Sequence, residues 1–321
     1  MYVLGIETSC DETSVSLVEN GRRILSCETS SSINFHSKYG GIIPEIASRK
    51  QLETISLVSE AAVKKANVTL KDIGLISVTK EPGLLGSLLV GLSFARALSF
   101  GLRVPLISVD HLYGHIYSAV LSNGGRVPFP FIALIVSGGH TSLFLVRDFS
   151  NIKLLGATQD DACGEAFDKV AKILGLKYPG GPYIEKLSRK GGPGKLKFKC
   201  SSTKAPLNFS FSGIKTAVLY LVKGRGFRDF SKADLAASFQ EAVIDTLIKK
   251  AALACSMNKI SRLLVAGGVA ANARLRLKLR QFEAGSGTRV YLPEKMLCTD
   301  NASMVAGLGY WLFKNGGRDG R

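Results

Sequence analysis

The sequence predicts an α/β protein made of two similar halves, each with a mixed sheet covered by helices. Two observations predict this class. In each half, three consecutive strand-like segments are followed by alternating helical and strand-like segments, which is typical of parallel strands joined by helices. The first turns of the two halves are also similar, since Leu4–Ser9 leads into Thr13–Val18 as Ile135–Gly139 leads into Thr141–Val146.

The elements of the first half follow in a simple order. Predicted strands at 2–7, 14–19 and 22–29 come first, followed by a helix at 44–67, a strand at 73–79, a helix at 84–100, a strand at 104–109 and a helix at 111–121. Asp110 lies between the last strand and the last helix. An aspartate favours helix initiation there, because its side chain accepts a hydrogen bond from a backbone N–H of the first turn.

The second half repeats this order. Predicted strands at 131–136, 141–147 and 153–157 precede a helix at 164–174, a basic segment, a helix at 231–257, a strand at 262–266, a helix at 269–282, a strand at 289–292 and a helix at 300–313. We therefore expect a first domain at 1–110 and a second at 111–321. The second domain carries the basic segment, and its last helix packs back on the first half.

Small residues occupy the turn after the first strand of each half, and such turns leave backbone N–H groups free to hold a phosphate. Two turns of this kind, facing each other across a ligand cleft, indicate a duplicated actin-like fold (the ASKHA or ribonuclease-H-like class), which hosts many reactions. For Ser137–Gly139 an ordinary tight turn is the alternative. A third glycine element, Gly267–Asn272, allows close approach of a ligand to a helix N-terminus. We expect Asn272 to project toward that ligand from the first helical turn.

His111 and His115 are two of only four histidines, and they lie four residues apart in a predicted helix. Residues at this spacing share a helix face, so both imidazoles can bind one metal ion. Two polar residues on a helix surface are the alternative interpretation. Zinc proteases with this histidine spacing carry a glutamate directly after the first histidine, and Leu112 stands there. Hydrolysis by that route is therefore not expected.

The chain is strongly basic, with 42 Lys and Arg against 25 Asp and Glu and a net charge of +17. A basic segment without acidic residues contains Lys186, Arg189, Lys190, Lys195, Lys197, Lys199, Lys204, Lys215, Lys223, Arg225 and Arg228. A second basic cluster contains Arg274, Arg276, Lys278 and Arg280. Because a surface of one charge sign attracts phosphate backbones, we favour a nucleic-acid partner over charge that serves solubility alone.

The composition also limits the location of the protein. Six scattered cysteines argue against a disulfide framework and against a cysteine-based zinc site, and they favour a reducing cytoplasm. The longest apolar stretch, 87–104, contains Arg96 and Arg103 and is shorter than a membrane span. The first residues lack the charged and apolar regions of a signal peptide. We therefore expect a cytoplasmic protein that does not enter a membrane.

Seven motifs occur in the order found in the tRNA adenosine threonylcarbamoyltransferases, and the resemblance covers nearly the whole chain. The motifs are Glu7–Thr13, the pair His111 and His115, Ser137–Thr141, Tyr178–Gly181, Phe209–Gly213, Gly267–Asn272 and Thr299–Ala302. Two of them, Ser-Gly-Gly-His-Thr and Cys-Thr-Asp-Asn-Ala, resemble the bacterial and mitochondrial branch more than the archaeal one. The segment Phe198–Lys204 keeps the basic charge usual in the family but lacks its proline.

The resemblance implies an actin-like fold and a tRNA-modifying acyltransferase. The threonylcarbamoyl group would pass from threonylcarbamoyl-adenylate to the exocyclic amine of the adenosine next to the anticodon (position 37) in tRNAs that read codons beginning with A. The resemblance also implies one divalent metal ion, iron or zinc, held by His111, His115 and Asp300 so that it holds and polarises the donor. It implies three protein partners: a small paralogous (TsaB-like) subunit, an ATPase (TsaE-like) subunit and an adenylate-forming (TsaC-like) enzyme.

The resemblance further implies where the donor lies. Its phosphate and acyl part would face Ile135, Val136, Ser137, Gly138 and Gly139. Its adenine nucleoside and neighbouring parts would contact Asp168, Gly181, Glu185 and Asn272. Asp11 and Glu12 belong to the first loop, near the reacting groups, and either carboxylate can accept the proton that the amine loses. An acidic turn is the alternative interpretation for these two residues.

Three other functions remain open at this point. A metalloprotease is disfavoured because Leu112 replaces the required glutamate. A small-molecule kinase of the actin-like fold would explain the phosphate-binding turns, but it needs neither the histidine pair nor the positive charge. A non-catalytic RNA-binding scaffold would explain the charge, but it does not need three metal ligands from distant segments.

Overall fold

The computed structural model describes residues 1–37, 39–224 and 230–317, which form two compact units. The first unit comprises Met1–Val127 and the C-terminal segment from Pro293, and the second unit comprises Pro128–Leu292. The predicted division after residue 110 differs from this one. Helix 111–122 belongs to the first unit because it packs against the C-terminal helix and the strand that precedes it.

Ten strands and ten helices are described. The strands are β1 (Tyr2–Glu7), β2 (Glu12–Glu19), β3 (Arg23–Ser31), β4 (Ile73–Glu81), β5 (Leu106–Asp110), β6 (Phe131–Val136), β7 (Thr141–Asp148), β8 (Asn151–Ala157), β9 (Arg262–Ala266) and β10 (Arg289–Tyr291). The helices are α1 (Ile33–His36), α2 (Pro44–Lys65), α3 (Leu85–Leu102), α4 (His111–Ser122), α5 (Cys163–Ile173), α6 (Gly180–Ser188), α7 (Ser212–Lys223), α8 (Lys232–Asn258), α9 (Ala273–Ser286) and α10 (Ala302–Lys314).

The two units share one sheet topology. In the first unit the strand order is β3-β2-β1-β4-β5, with β1, β2 and β3 antiparallel and β4 and β5 added in parallel. In the second unit the order β10-β9-β6-β7-β8 repeats this pattern, with β6, β7 and β8 antiparallel and β9 and β10 added in parallel. The duplicated α/β architecture predicted from the sequence is therefore confirmed.

Helix α10 forms the core of the first unit, where it packs against β1, β2, β4 and α4. Its first eight residues, Ala302–Gly309, are all buried. The helix approaches the sheet closely because β1 has a glycine at the contact: a Cβ atom at Gly5 would overlap the backbone of Ala302 and the side chain of Ala306. This packing fixes the start of α10, and hence the residue that precedes it, against the ends of β1 and α4.

Helix α3 leaves much of its apolar surface exposed. Leu88 and Ala95 are buried, whereas Leu85, Leu89 and Phe100 are exposed. By length and composition α3 is the one helix of the described residues that could cross a membrane, and 22% of its residues are buried. A single helix of this kind is weak evidence for a membrane span, because core helices of soluble proteins can have the same length and composition.

The predicted elements lie close to the observed ones, with two kinds of difference. Three helices were not predicted: α1, α6, which ends just inside the basic segment, and α7, which lies within it. The helix predicted from residue 269 is also divided: a 3-10 turn covers Gly268–Ala271, and α9 begins only at Ala273. Asn272 is therefore the residue that caps α9, not a residue of its first turn as predicted.

Candidate active site

His111, His115 and Asp300 converge in the first unit, although they come from distant parts of the sequence. The Asp110 side chain accepts a hydrogen bond from Tyr113 N (3.0 Å), so α4 begins directly after β5 and places His111 in its first turn. His115 follows one turn later on the same face. Asp300 directly precedes α10, which is capped by Asn301. One ligand atom of each of the three residues lies within 4.8 Å of the other two.

The three side chains surround a small space. Asp300 Oδ1 lies 3.1 Å from His115 Nε2 and 3.6 Å from His111 Nε2. The two imidazole rings are nearly perpendicular, with their centres 4.6 Å apart. Two imidazoles and one carboxylate at these positions can hold a single divalent ion and leave further coordination positions for a substrate.

His115 shows that these residues fit a metal ion. Its side chain is fully buried, yet neither ring nitrogen makes a hydrogen bond, because the 3.1 Å contact of Nε2 with Asp300 Oδ1 lacks hydrogen-bond geometry. Leaving a buried polar atom without a partner costs about 1–3 kcal/mol, and nearly all such atoms in folded proteins are satisfied. Coordination of an ion beside Asp300 satisfies a ring nitrogen of His115 and removes this cost. The structure thus contains a possible metal-binding site at the three predicted residues.

Glu7, which the sequence analysis did not select, lies behind His111. Its Oε2 atom is 3.1 Å from His111 Nδ1 and accepts a hydrogen bond from Thr79 Oγ1 (2.6 Å), while its Oε1 atom accepts one from Ser9 N (2.6 Å). A carboxylate can only accept, so Nδ1 of His111 carries a proton, and in the neutral ring Nε2 is the unprotonated nitrogen and faces Asp300. This tautomer is the one that a metal ion on Nε2 requires.

The charges around His111 favour a cation. Burial disfavours an imidazolium, but the nearby carboxylates of Glu7 and Asp300 outweigh this effect and raise the pKa of His111 to about 9. Burial would likewise raise the pKa of Glu7, but the charge and the hydrogen bond of His111 hold it below its ordinary value. Two carboxylates beside one buried imidazole therefore favour positive charge, which either a proton or a metal ion supplies.

Asp11 and Glu12 lie in the same unit and differ in their surroundings. Burial, and then repulsion by Asp300, raises the pKa of Asp11. Burial raises the pKa of Glu12 to about 8, with additional repulsion from Asp300, Asp11 and Glu7. One carboxylate oxygen of Glu12 is buried without a hydrogen-bond partner. A carboxyl group with a pKa near neutrality and an uncommitted oxygen is suited to accept or deliver a proton.

In the second unit, Ile135–Gly139 ends β6 and forms the tight turn before β7. Ile135 and Val136 are fully buried, so their side chains are not positioned to meet a ligand, whereas Ser137 is partly exposed. Ser137 Oγ accepts a hydrogen bond from His140 N (3.1 Å), which holds the turn. A Cβ atom at Gly138 or Gly139 would meet no atom within 4 Å, so the outer side of the turn is open.

Helix α5 starts directly beside this turn. Gly164 N donates a hydrogen bond to Ser137 O (3.0 Å), and a Cβ atom at Gly164 would overlap Gly138. Glycine at position 164 thus allows the N-terminus of α5 to approach the turn. The positive end of a helix dipole adds to the backbone N–H groups in attracting an anion.

Helix α6 carries two more of the predicted residues. Asp168 of α5 accepts a hydrogen bond from Gly180 N (2.6 Å), so it holds the start of α6. Burial raises the pKa of Asp168 despite the opposing hydrogen bonds from Gly180 and Gly181. A Cβ atom at Gly181 would meet no atom within 4 Å, and Glu185 pairs with Arg189 at 2.7 Å.

Asn272 is buried, and its side chain is already engaged. Its Oδ1 atom accepts a hydrogen bond from Leu275 N (3.0 Å) and caps α9. Its Nδ2 atom donates to Gln240 Oε1 of α8 (2.8 Å). The predicted projection of the whole side chain toward a ligand is therefore not observed, although the second N–H of Nδ2 can still be donated.

The basic residues divide into paired and exposed groups. Lys197, Lys199 and Lys204 are exposed, and no ion pair involving them is found within the described ranges. Ion pairs occur in both the basic segment and the second basic cluster: Arg189, Lys195 and Lys215 of the basic segment pair with Glu185, Asp234 and Asp161, respectively, and in the second basic cluster Arg274 and Lys278 both pair with Glu241 of α8. Of the predicted residues, Arg225 and Arg228 lie outside the described residues. The basic segment therefore offers more unneutralised charge than the cluster on α9.

Solved structures of low sequence identity share the fold. Component A of (R)-2-hydroxyglutaryl-CoA dehydratase from Acidaminococcus fermentans matches with a TM-score of 0.59 at 18% identity, covering 97% of this chain and 98% of that chain. Full-length HypF in the phosphate- and nucleotide-bound form matches with a TM-score of 0.65 at 16% identity, covering 98% of this chain and 55% of that chain. These likenesses define the class: the chain is an actin-like α/β protein, as predicted.

The family follows from sequence comparison. The family model described as tRNA N6-adenosine threonylcarbamoyltransferase (TsaD) matches residues 23–307. The transferase of that name from Thermodesulfovibrio yellowstonii is 52% identical over 98% of this chain and 96% of its own length. The one from Dictyoglomus turgidum is 49% identical over 98% of this chain and 95% of its own length. The chain therefore belongs to the tRNA N6-adenosine threonylcarbamoyltransferase family, which confirms the predicted family and the predicted class of enzyme.

Proposed function

We propose that this protein transfers the threonylcarbamoyl group of threonylcarbamoyl-adenylate to the exocyclic amine of the adenosine next to the anticodon, in tRNAs that read codons beginning with A. The convergence of His111, His115 and Asp300 in a chain of this family carries the proposal. In the reaction, the amine nitrogen bonds to the carbonyl carbon of the donor. The bond from that carbon to the phosphate oxygen breaks, AMP leaves, and the amine loses one proton.

His111, His115 and Asp300 would hold one divalent ion, iron or zinc. When bound, such an ion supplies Lewis-acid stabilisation of the donor phosphate. Imidazole and carboxylate ligands suit both metals. The buried ring nitrogens of His115 support this assignment, because without a ligand they lack hydrogen-bond partners.

The turn Ser137–Gly139 is suited to the phosphate and acyl part of the donor. The open side of Gly138 and Gly139 lets a ligand reach the backbone, and the start of α5 lies beside the turn. Backbone N–H groups there stabilise the negative charge that develops on the departing phosphate. Asp168, Gly181, Glu185 and Asn272 would form the nucleoside part of the site.

Glu12 is a better candidate than Asp11 for the base that takes the proton from the amine. The pKa of Glu12 is raised to about 8 and one of its oxygens is buried without a partner. Burial is the main cause of this raised pKa, and a cation bound by Asp300 would lower the pKa by reducing the additional repulsion.

Exposed lysines of the basic segment would contact tRNA phosphates. Lys197, Lys199 and Lys204 are the first candidates, because they are exposed and unpaired within the described ranges. Arg274 provides a matched control, because its charge is already neutralised by Glu241 at 2.8 Å.

The protein would act in the cytoplasm with partners. We propose an adenylate-forming (TsaC-like) enzyme as the source of the donor, and an ATPase (TsaE-like) subunit as a further partner. For the small paralogous (TsaB-like) subunit, the exposed apolar surface formed by Leu52 of α2 with Leu85 and Leu89 of α3 offers a place to dock. A paralogue would bring an equivalent pair of helices, and mutual burial of their leucines would stabilise the pair.

The metal assignment can be tested on the purified protein. His115→Ala should lose bound metal and transfer to tRNA while retaining cooperative thermal unfolding. His36→Gln is the matched control, since His36 is equally buried in the same unit but hydrogen-bonds with Ser32 and Ile43. Metal content is measured after reconstitution, and transfer is measured with the three partner proteins and unmodified tRNA. Full metal content in His115→Ala, or transfer by a metal-stripped protein, would refute the assignment.

A further inference from the structure

A buried glutamine joins three elements of the second unit. Gln240 lies in the first half of α8 and is 4% exposed. Its Oε1 atom accepts a hydrogen bond from Asn272 Nδ2 (2.8 Å), and its Nε2 atom donates one to Ser188 Oγ (2.8 Å). Ser188 Oγ in turn donates to Glu185 O in α6 (2.8 Å). A continuous chain of hydrogen bonds thus runs from the start of α9 through α8 to the last turn of α6.

The direction of each bond in this chain is fixed. Asn272 Oδ1 is committed to Leu275 N, so its amide must present Nδ2 to Gln240. Ser188 uses its proton on the carbonyl of Glu185, so it can only accept from Gln240. Position 240 therefore requires one acceptor and one donor, which the amide of glutamine supplies in neutral form.

This arrangement does more than fill the core. The neighbouring buried residues of α8 include Phe239 and Val243, and a leucine at position 240 would itself bury no polar group, although it would leave Asn272 Nδ2 without its acceptor. The amide instead restrains the Asn272 side chain, leaving its second Nδ2–H as the donor available for a ligand. The same amide restrains the turn of α6 that carries Glu185.

We propose that Gln240 is a positioning residue for adenine-nucleotide binding, acting through Asn272 and through the Ser188–Glu185 turn. The inference rests on the proposed function, in which Asn272 and Glu185 contact the nucleoside of the donor. Gln240 contributes by holding both contacts in the geometry of the bound state before the ligand arrives. Preorganisation of this kind lowers the entropy lost on binding.

The test uses ATP binding by the full-length protein, measured by calorimetry. Gln240→Leu should weaken ATP binding by about tenfold, the effect of about 1.4 kcal/mol that one or two lost hydrogen bonds produce. Ser188→Ala should weaken it less. The double variant should bind ATP no worse than Gln240→Leu, because Ser188 acts through Gln240.

Two further variants separate positioning from stability. Thr246→Val removes a hydroxyl of α8 whose hydrogen bonds go to Ala242 O (2.9 Å) and to the Cys200 thiol. This variant should bind ATP as the wild type does, even if its melting temperature is lower. Gln240→Glu should bind ATP well at low pH, where the neutral carboxylic acid still has one acceptor and one donor. Its affinity should fall as the pH rises and the carboxyl ionises, relative to the wild type at each pH.

The outcomes distinguish two failures. If the wild-type protein binds ATP and both Gln240 variants bind it as tightly as the wild type does at every pH, the positioning role is refuted and the nucleotide site stands. An equal loss of affinity in Thr246→Val would also refute it, because general loosening of α8 would then explain the effect. A wild-type protein that binds no adenine nucleotide would refute the nucleotide site itself and this inference with it.

Discussion

Replacing Glu7 with glutamine changes one oxygen to an NH2 group and tests whether the tautomer of His111 controls metal binding. Glu7 accepts hydrogen bonds on both oxygens, from Ser9 N on one and from Thr79 Oγ1 and His111 Nδ1 on the other. Glutamine has one accepting oxygen. If that oxygen faces His111, the NH2 group opposes the Ser9 N–H.

If instead the NH2 group faces His111, it donates to Nδ1 and moves the ring proton to Nε2. Nε2 then cannot bind a metal ion until that proton is lost. Loss of a carboxylate behind a histidine ligand typically reduces metal affinity by about 10- to 100-fold, or about 1.4–2.7 kcal/mol. We expect a loss in this range for Glu7→Gln.

The affinity can be measured without the reaction by chelator competition on metal-stripped protein. Thr79→Val is the matched control: it removes one hydrogen bond from Glu7 but leaves the carboxylate that accepts from His111. Its loss of affinity should be several-fold smaller. If Glu7→Gln binds metal as tightly as the wild type and remains folded, the Glu7 carboxylate does not set the state of His111 and the reasoning fails.

Three further predictions concern other parts of the protein. In the metal-free protein the pKa of Glu12 is raised to about 8, so the contribution of its protonated form to stability is present at acidic pH and is lost as the pH rises from about 4.5 through 8. The melting temperature of Glu12→Gln relative to that of the wild type should therefore rise over this range. A difference in melting temperature that stays constant with pH would contradict the prediction. Gly138→Val should fold normally, because its Cβ would meet no atom, and should weaken nucleotide binding more than tRNA binding in calorimetry; equal losses would indicate misfolding. Replacing Lys197, Lys199 and Lys204 with glutamate should lower the salt dependence of tRNA binding by about 0.7–0.9 in log–log slope per lost phosphate contact, and an unchanged slope would place the RNA elsewhere.

The sequence predicted the elements whose apolar pattern is regular. β1, β6 and β9 have the predicted bounds because they are buried runs of apolar residues flanked by turns. The spacing of His111 and His115 and the cap at Asp110 also placed α4 correctly. Local pattern sufficed in these cases because the same few residues determine both the element and its orientation.

Other features depend on residues that are distant in the sequence. Helix α6 begins with Gly180-Gly181-Pro182, a poor helix-forming sequence that a hydrogen bond to Asp168 holds in place. The role of Glu7 was missed for the same reason, since its contacts with Thr79 and His111 form only in the folded unit. The available signal was an acidic residue at the end of the apolar strand β1. A carboxylate in such a position is buried only where hydrogen-bond donors or positive charges compensate it.

The first unit has a consequence for the order in which the protein is made. Its chain is discontinuous, since Met1–Val127 is completed only by the segment from Pro293, after the whole second unit. A ribosome therefore synthesises His111 and His115 long before Asp300. The packing contact between Gly5 of β1 and Ala302 of α10 likewise forms only after the second unit has been made. Until that segment is made, His111 and His115 lack their third partner. We therefore expect metal to enter the complete site late, and a chain that stops before Asp300 to lack both a ligand and the core helix α10 that packs on the sheet.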